Sequence, residues 1–287
     1  MNITRSVNRR FIQLLAAVLT NQQLLNLSSG KLYKGSAKNL CAPGLNCYSC
    51  PAATLSCPLG ALQAAGGTAG YGFSFYAGGF LLLLGVLWGR LACGFLCPFG
   101  LLQDLLSKLP VRKRRLYPPL RYVKYVLLVV FVLLLPALLM LFKGVGAPAF
   151  CEYICPAGTL EAAVPLLLTH AEYRQAAGGL FALKSVILIA VVIGCLFISR
   201  FFCKMLCPLG AIYGLLNRVS ICRLHLDEKS CVSCGRCRKV CPMDIDPVVQ
   251  LHSPECIMCG QCVEACPQKA LHLGIKAPAA KTAADSQ

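Results

Sequence analysis

Two matching stretches near the C-terminus decide the fold of that region: Cys231-Val-Ser-Cys234-Gly-Arg-Cys237-Arg-Lys-Val-Cys241-Pro242 and Cys256-Ile-Met-Cys259-Gly-Gln-Cys262-Val-Glu-Ala-Cys266-Pro267. Both have the spacing C-x2-C-x2-C-x3-C-P, which is typical of bacterial proteins that hold two [4Fe-4S] clusters. In that arrangement, three cysteines of one stretch and the fourth cysteine of the other bind the same cluster. The spacing therefore predicts two ligand sets: Cys231, Cys234, Cys237 and Cys266, and Cys256, Cys259, Cys262 and Cys241.

Zinc and disulfides are the two alternative uses of such cysteines. Zinc sites usually separate two C-x2-C pairs by a longer span, and disulfides are rare in a reducing cytoplasm. Short segments of alternating polarity, residues 222–226 and 271–275, flank the two stretches and predict small strands. We therefore expect a small α+β domain over residues 221–276, like the bacterial two-[4Fe-4S] ferredoxins, and a disordered tail over residues 277–287.

The rest of the chain is unusually apolar. Of its 287 residues, 57% are hydrophobic and only 14% are charged, whereas an ordinary soluble domain has about 25% charged residues. Four apolar stretches approach the roughly 20 residues that cross a bilayer: residues 11–27, 73–93, 122–142 and 180–202. The first could be a signal peptide, but we predict an uncleaved anchor. The expected fold over residues 1–220 is an α-helical membrane domain with four transmembrane helices.

Basic residues lie mainly beside these apolar stretches. One loop carries six of them: Arg112, Lys113, Arg114, Arg115, Arg121 and Lys124. Because cytoplasmic loops are enriched in lysine and arginine, we expect the N-terminus, this loop and the C-terminal domain on the cytoplasmic side of the inner cell membrane. The formal net charge of +17 is then explained by the bilayer, and anionic clusters would offset part of it. We expect no nucleic-acid partner.

An internal repeat supports two copies of a two-helix unit. Arg90-Leu-Ala-Cys93-Gly-Phe-Leu-Cys97-Pro-Phe-Gly100 aligns with Arg200-Phe-Phe-Cys203-Lys-Met-Leu-Cys207-Pro-Leu-Gly210. The proline favours a first helical turn, which puts the preceding cysteine at the N-cap, where amide donors and the helix dipole favour an anion. The predicted topology gathers Cys93, Cys97, Cys203 and Cys207, called the inner group from here on. We expect them to bind a third [4Fe-4S] cluster; four structural thiols are the alternative.

Six further cysteines fall on the opposite face: Cys41, Cys47, Cys50, Cys57, Cys151 and Cys155. Cys57-Pro-Leu-Gly-Ala-Leu-Gln-Ala-Ala aligns with Cys155-Pro-Ala-Gly-Thr-Leu-Glu-Ala-Ala, and both begin like the inner motif. This predicts a fourth cluster on Cys57, Cys151, Cys155 and either Cys47 or Cys50. Disulfides are an open alternative outside the cytoplasm, with fifteen possible connectivities.

Other redox groups have no support in the sequence. No C-x-x-C-H motif for covalent haem occurs, the four histidines lie outside the apolar stretches, and no covalent flavin motif is present. A hydrocarbon core of about 30 Å would separate the inner and outer clusters. Either the segments after Cys57 and Cys155 dip into the membrane, or a quinone bridges the gap, or electrons do not cross it.

Taken together, the inner C-x3-C-P motifs, the apolar stretches and the tandem C-terminal stretches resemble the membrane-bound ferredoxin family that includes NapH-type quinol dehydrogenases and shares a core with NosR- and CcoG-type proteins. The resemblance covers the chain from about residue 73 onward. It implies electron transfer between quinone or an outer-face redox protein and a cytoplasmic partner. It also allows a maturation role, in which the protein reduces a metal or a disulfide of another membrane enzyme. The segment from Cys41 to Cys50 departs from the minimal NapH pattern.

Overall fold

The structure, a computed structural model, describes residues 9–63, 70–143, 147–175 and 178–275; the predicted disordered tail lies outside these ranges. The described residues are mostly helical, with one small sheet. The α-helices are α1 Arg9–Thr20, α2 Asn26–Ser29, α3 Pro58–Gln63, α4 Gly70–Trp88, α5 Leu91–Phe95, α6 Pro98–Leu106, α7 Val123–Leu127, α8 Leu135–Lys143, α9 Ala149–Tyr153, α10 Pro156–Gly158, α11 Val164–Thr169, α12 Ala171–Gln175, α13 Gly179–Phe197, α14 Phe201–Met205, α15 Pro208–Leu216, α16 Arg236–Lys239 and α17 Gln261–Glu264. The strands are β1 Arg223–Leu226 and β2 Leu271–Gly274; 3-10 turns cover Ser36–Asn39 and Pro118–Tyr122, and π-helical turns cover Leu128–Leu134 and Thr159–Ala163.

Two helical stretches among the described residues are long and apolar enough to cross a membrane, where four were expected. They are Pro118–Phe142, with 25 residues, and Gly179–Phe197, with 19. The predicted span 73–93 is divided, because α4 ends at Trp88 and Gly89 adopts a left-handed φ of 54°.

The predicted span over residues 11–27 is wrong. Helix α1 has 12 residues and extends about 18 Å, which is less than the roughly 30 Å of a hydrocarbon core. Polar side chains end it, since Oγ1 of Thr20 and Nδ2 of Asn21 donate to carbonyls of the preceding turn at 2.8 and 3.1 Å. The Thr20 carbonyl then accepts the backbone N–H of Thr54 at 2.9 Å, so the chain turns into a loop instead of continuing as a helix.

The C-terminal region contains the two expected strands. β1 pairs antiparallel with β2, with Arg223 opposite Gly274 and Leu226 opposite Leu271, which confirms the prediction from alternating polarity. Left-handed backbone recurs at matching positions of the two cysteine stretches: Ser233, Gly235 and Asp244, and Met258, Gly260 and Lys269. This conformation costs an ordinary residue about 1 kcal/mol or more, and successive turns of this kind direct backbone N–H groups into a concave, anion-binding surface.

Buried polar side chains hold this region against the helical part. Arg90 is fully buried and donates to the Glu255 carboxylate at 3.1 Å, and Lys124 of α7 forms an ion pair with the other oxygen of Glu255. Asn217, at the end of α15, donates to the Ser253 carbonyl at 2.8 Å. Breaking a buried ion pair leaves an uncompensated charge, so these contacts fix one orientation of the two parts.

Candidate metal centres

Each of the two C-terminal ligand sets lines a cavity of its own. One cavity is lined by Cys231, Cys234, Cys237 and Cys266, and the other by Cys241, Cys256, Cys259 and Cys262. The structure thus places the fourth cysteine of each stretch beside the first three of the other stretch. Apolar side chains complete both cavities, among them Leu226 and Leu271 in the first and Leu224 and Ile257 in the second.

Four short helices begin directly after a cysteine. Helices α3, α6, α10 and α15 follow Cys57, Cys97, Cys155 and Cys207, and the last three of these cysteines occupy the N-cap with proline in the first turn, as expected. In all four cases, the backbone N–H of the glycine three residues later faces the cysteine sulfur. At Cys207 this contact is a hydrogen bond from Gly210 of 3.3 Å. Such donors stabilise a thiolate and any anionic group bound to it.

Contacts that cross between the two repeats position the inner group. Gln103 of α6 is fully buried and donates through Nε2 to Cys203 Sγ at 3.1 Å, while its Oε1 accepts the Cys203 N–H at 3.3 Å. Arg200 donates to the Cys93 carbonyl at 3.0 Å, and Arg90 donates to the Cys203 carbonyl at 3.4 Å. Each arginine therefore supports the first cysteine of the opposite repeat.

The same arginines belong to buried ion pairs. Arg200 binds both oxygens of Asp104, at 2.8 and 2.6 Å. Burial alone would raise the pKa of Asp104, but the hydrogen bonds and charge of Arg200 hold it below its ordinary value. Four cations (Arg9, Arg90, Lys124 and Arg200) surround two carboxylates, those of Asp104 and Glu255. The surplus of two positive charges matches the roughly two negative charges of an oxidised, thiolate-bound [4Fe-4S] cluster.

The C-terminal domain contacts the inner group at Gly94. A Cβ at this position would lie 2.5 Å from the Ile257 carbonyl oxygen and 3.9 Å from the Cys259 Cα. Glycine therefore permits the helix that carries Cys93 to pack directly on the loop that carries Cys256 and Cys259. The second ligand set and the inner group are neighbours.

Four of the six outer cysteines surround one cavity of about 530 Å³: Cys47, Cys57, Cys151 and Cys155. They are called the outer group from here on. Cys50 is directed elsewhere, because its Sγ donates to the Glu161 carbonyl at 3.0 Å, and Cys41 packs with Ala61 and Ala77. The structure therefore favours Cys47 over Cys50 as the fourth member. All twenty cysteines lie within the described residues, as free thiols.

Buried or half-buried polar side chains support the outer group as Gln103 supports the inner one. Gln63 of α3 donates to Cys151 Sγ at 3.5 Å, and its Oε1 accepts the N–H of Phe150 at 2.9 Å. The carboxylate of Glu161 accepts the Cys47 N–H at 2.7 Å. Burial raises the pKa of Glu161 from 4.5 to about 7, although the hydrogen bond from Cys47 opposes the shift.

Lysines replace the arginines at the outer group. Lys184 donates to the Cys151 carbonyl at 3.2 Å, and Lys38 donates to the Ala53 carbonyl at 2.8 Å. Ala53 stands four residues before Cys57, where the other three copies of the motif have a cysteine. Cys47 supplies the thiol that this copy lacks.

A longer motif underlies all four copies. Each reads C-P-x-G-x-[L/I] followed by a polar residue, which is Gln63, Gln103, Glu161 or Tyr213. The alignment of the two inner motifs ends at Gly100 and Gly210 and therefore does not include this polar residue. Extending the inner alignment by three residues, or comparing all four copies, would have found it.

The surroundings of these cysteines fit iron-sulfur clusters. Among the residues that the structure describes, no three cysteine, histidine or carboxylate side chains meet at distances suited to one metal ion. Apolar cavities, N–H donors at sulfur and the positive surplus at the inner group all suit an anionic cluster.

Comparisons with protein-family models point the same way. A model described as a 4Fe-4S binding domain matches residues 70–117, 125–166 and 180–226, and each match contains one C-x3-C-P motif. A model described as a 4Fe-4S dicluster domain matches residues 223–267. Cys41, Cys47, Cys50 and Cys57 lie outside these matches, which contain the other cysteines of the four groups.

Several curated proteins are similar to this chain. An uncharacterized protein of Methanocaldococcus jannaschii is 30% identical over 174 residues, which cover 57% of this chain and 56% of the relative. YccM of Escherichia coli is 32% identical over 184 residues, which cover 61% of this chain and 48% of YccM. The ferredoxin-type protein NapH of Haemophilus influenzae is 26% identical over 167 residues, which cover 56% of this chain and 50% of NapH. The chain thus spans about half the length of these relatives. No solved structure matches it.

NirI and the ferredoxin-type protein MauN of Paracoccus denitrificans and NosR of Pseudomonas aeruginosa match as well. These relatives, the two 4Fe-4S family models and the motifs agree with one another. The chain therefore belongs to the family of ferredoxin-type 4Fe-4S electron-transport proteins that includes NapH, NirI, MauN and NosR.

Proposed function

We propose that this protein is a membrane-bound electron carrier that holds four [4Fe-4S] clusters and passes single electrons between the outer face of the membrane and a cytoplasmic redox protein. The observation that carries the proposal is the gathering of sixteen cysteines into four groups that follow one another through the molecule. Bound clusters supply reversible one-electron redox chemistry. The chain supplies thiolate ligands, N–H donors to sulfur and compensating charges.

The cytoplasmic end of this series is the set that contains Cys234. This cysteine is exposed, and the neighbouring Arg236, Arg238 and Lys239 are exposed as well. Exposed basic residues beside a redox centre attract an acidic partner and speed encounter. We therefore expect an acidic redox protein to dock at this end.

The orientation rests on the basic loop. The backbone N–H of Arg114 donates to the Phe197 carbonyl at 2.7 Å, and Arg121 donates to the Asp244 carbonyl at 3.3 Å. The loop thus lies on the side of the C-terminal domain, and lysine and arginine favour the cytoplasmic side. This supports placing that domain in the cytoplasm and the outer group toward the opposite face.

Quinone is the redox partner that we propose for the outer face. The cavity of the outer group has a volume typical of small-molecule sites and includes Tyr48, Pro148 and Leu166 beside its cysteines. Glu161 also lies at this end of the molecule. A quinol that gives up electrons must also lose protons, and a carboxyl group that titrates near pH 7 can accept one.

Anaerobic reduction by quinol tests this proposal. In lipid nanodiscs, we expect a quinol to bleach part of the cluster absorbance of the wild-type protein. The response should disappear in Cys151→Ser and persist in Cys222→Ser, whose buried thiol lies outside every group. Bleaching by dithionite without any response to quinol would exclude quinone, and a colourless protein would exclude the clusters.

A further inference from the structure

The segment 43–47 lies between the inner and outer groups and touches both. A Cβ on Gly44 would be 2.6 Å from the Cα of Cys97 and 3.0 Å from its Cβ. Only a glycine therefore fits against this inner cysteine. Three residues later, Cys47 lines the outer cavity.

Two neighbouring backbone amides of the segment lie beside sulfurs of different groups. The N–H of Leu45 faces the sulfur of Cys97, and the N–H of Asn46 faces the sulfur of Cys57. Leu45 is 3% exposed and Asn46 is fully buried. The segment is therefore shielded from water where it passes between the two groups.

The two groups are therefore much closer than a bilayer is thick. Gly44 packs on Cys97 and Cys47 lines the outer cavity. Three residues of chain reach at most about 11 Å, which is about a third of a hydrocarbon core. Helix α1 gives an independent measure. Its Arg9 pairs with Asp104 beside the inner group at 2.7 Å. At its other end, Thr20 contacts Thr54, three residues before Cys57 of the outer group, and the two ends of the helix are only about 18 Å apart.

Tyr213 fixes the segment from the inner side. It is fully buried, and its hydroxyl donates to the Pro43 carbonyl at 3.1 Å. The side chain is near enough to interact electrostatically with Cys93 and Cys97 of the inner group and with Cys57 of the outer group. Tyr213 is the polar residue that ends the motif copy after Cys207. The corresponding residue in the copy after Cys97 is Gln103, which contacts a cysteine instead. Tyr213 therefore packs between the groups and holds the connection in place.

We propose that the segment 43–47 is the path by which electrons pass directly between the outer and inner groups, so that the protein conducts electrons across the membrane with neither haem nor quinone between them. The inference rests on the proposed function, because both groups must hold a cluster. Each transfer moves one electron: the donor side is oxidised by one unit and the acceptor side is reduced by one. No bond breaks and no proton has to move.

Sealed vesicles of quinone-free phospholipid test the path. With ferricyanide trapped inside and dithionite outside, we expect wild-type protein to reduce the trapped ferricyanide. The reaction should be lost in Cys207→Ala and in Cys57→Ala, each of which removes one group, and it should persist in Cys222→Ala. Iron analysis of each sample accompanies the assay.

Electron paramagnetic resonance tests the same proximity without any variant. In a potentiometric titration, we expect the signal of the reduced outer cluster to broaden when the inner cluster is also reduced. A full iron content of about sixteen per chain with no vesicle reaction, or with no broadening, would overturn the inference and leave the proposed function standing. An iron content near eight would overturn both.

Discussion

The inner and outer groups are two versions of one arrangement. In both, a cysteine caps a short helix and a glycine N–H three residues later faces its sulfur. In three of the four copies, the polar residue six positions after the cap contacts the opposite half. The inner version has a cysteine four residues before each cap and an arginine on each of those carbonyls. In the outer version, Ala53 replaces one of these cysteines, and lysines donate to the carbonyls of Ala53 and Cys151. One of its two polar residues is a carboxylate, Glu161.

This difference separates what the arrangement requires from what it tolerates. The helix caps and their N–H donors are kept in all four copies, whereas the source of the fourth thiol and the nearby charges vary. Paired arginines leave the inner group with surplus positive charge, while the outer group has a carboxyl group that titrates near neutral pH. We expect the protons that a quinol releases to leave at the outer group, and electron transfer at the inner group to be independent of pH.

The largest expected effect concerns the missing thiol. Cys47→Ala should lose about four irons per chain, because Cys47 replaces the cysteine that is absent at position 53. Cys50→Ala is the matched control and should keep the wild-type content, since its thiol is directed at the Glu161 carbonyl. Equal losses from the two variants, measured by iron and acid-labile sulfide analysis, would show that the outer group is assembled differently.

Breaking the charge pair of the inner group should have the next largest effect. Arg200→Met leaves the buried Asp104 poorly compensated, and removing one partner of a buried pair costs about 3 to 5 kcal/mol. Thermal unfolding in detergent should show this loss, and Asp104→Leu combined with Arg200→Met should recover part of it. The control Arg238→Met breaks an exposed pair with Asp246 at 4.0 Å and should leave the unfolding temperature unchanged. A wild-type unfolding temperature in Arg200→Met would contradict the account.

Removing the sulfur donors should shift redox potentials. A hydrogen bond to sulfur stabilises the more negative, reduced cluster, so Gln103→Leu should lower the inner midpoint potential. A contribution of about 1 kcal/mol per hydrogen bond corresponds to about 40 mV for one electron. Gln63→Leu should lower the outer potential in the same way, and the exposed Gln250→Leu should change neither. Unchanged potentials in both variants would remove the proposed role of this position.

Titration of Glu161 should be the smallest effect. Because its pKa in the folded protein, about 7, lies above the ordinary 4.5, the folded state binds the extra proton and stability falls as pH rises from 4.5 to 7. Infrared spectroscopy should show a protonated carboxyl band that disappears with a midpoint near pH 7. The band should be missing in Glu161→Gln and retained in the control Glu172→Gln. A band that persists through pH 9 or is lost by pH 5 would contradict the shift.

Local spacing was enough to predict the parts of the molecule that depend on it. The Cys-Pro caps and the small strands β1 and β2 follow from the stiffness of proline and from alternating polarity. The position of Cys266 beside Cys231, Cys234 and Cys237 could be predicted because tandem stretches of this kind exchange their fourth cysteines. These features need no information about distant parts of the chain.

Features that depend on distant contacts were not predicted correctly or completely. Hydrophobicity alone extended the first apolar stretch beyond Thr20, because it does not register side chains that compete for the last helical carbonyls. The choice of Cys47 over Cys50 depends on Glu161, more than a hundred residues away. The short separation between the groups depends on Gly44 packing against Cys97, which no local pattern indicates.

Iron and acid-labile sulfide, counted per chain in protein purified without oxygen, show most directly whether each of the four cysteine groups holds a cluster. We expect about sixteen of each, four for every group. A value near eight, from the two C-terminal sets alone, would contradict it.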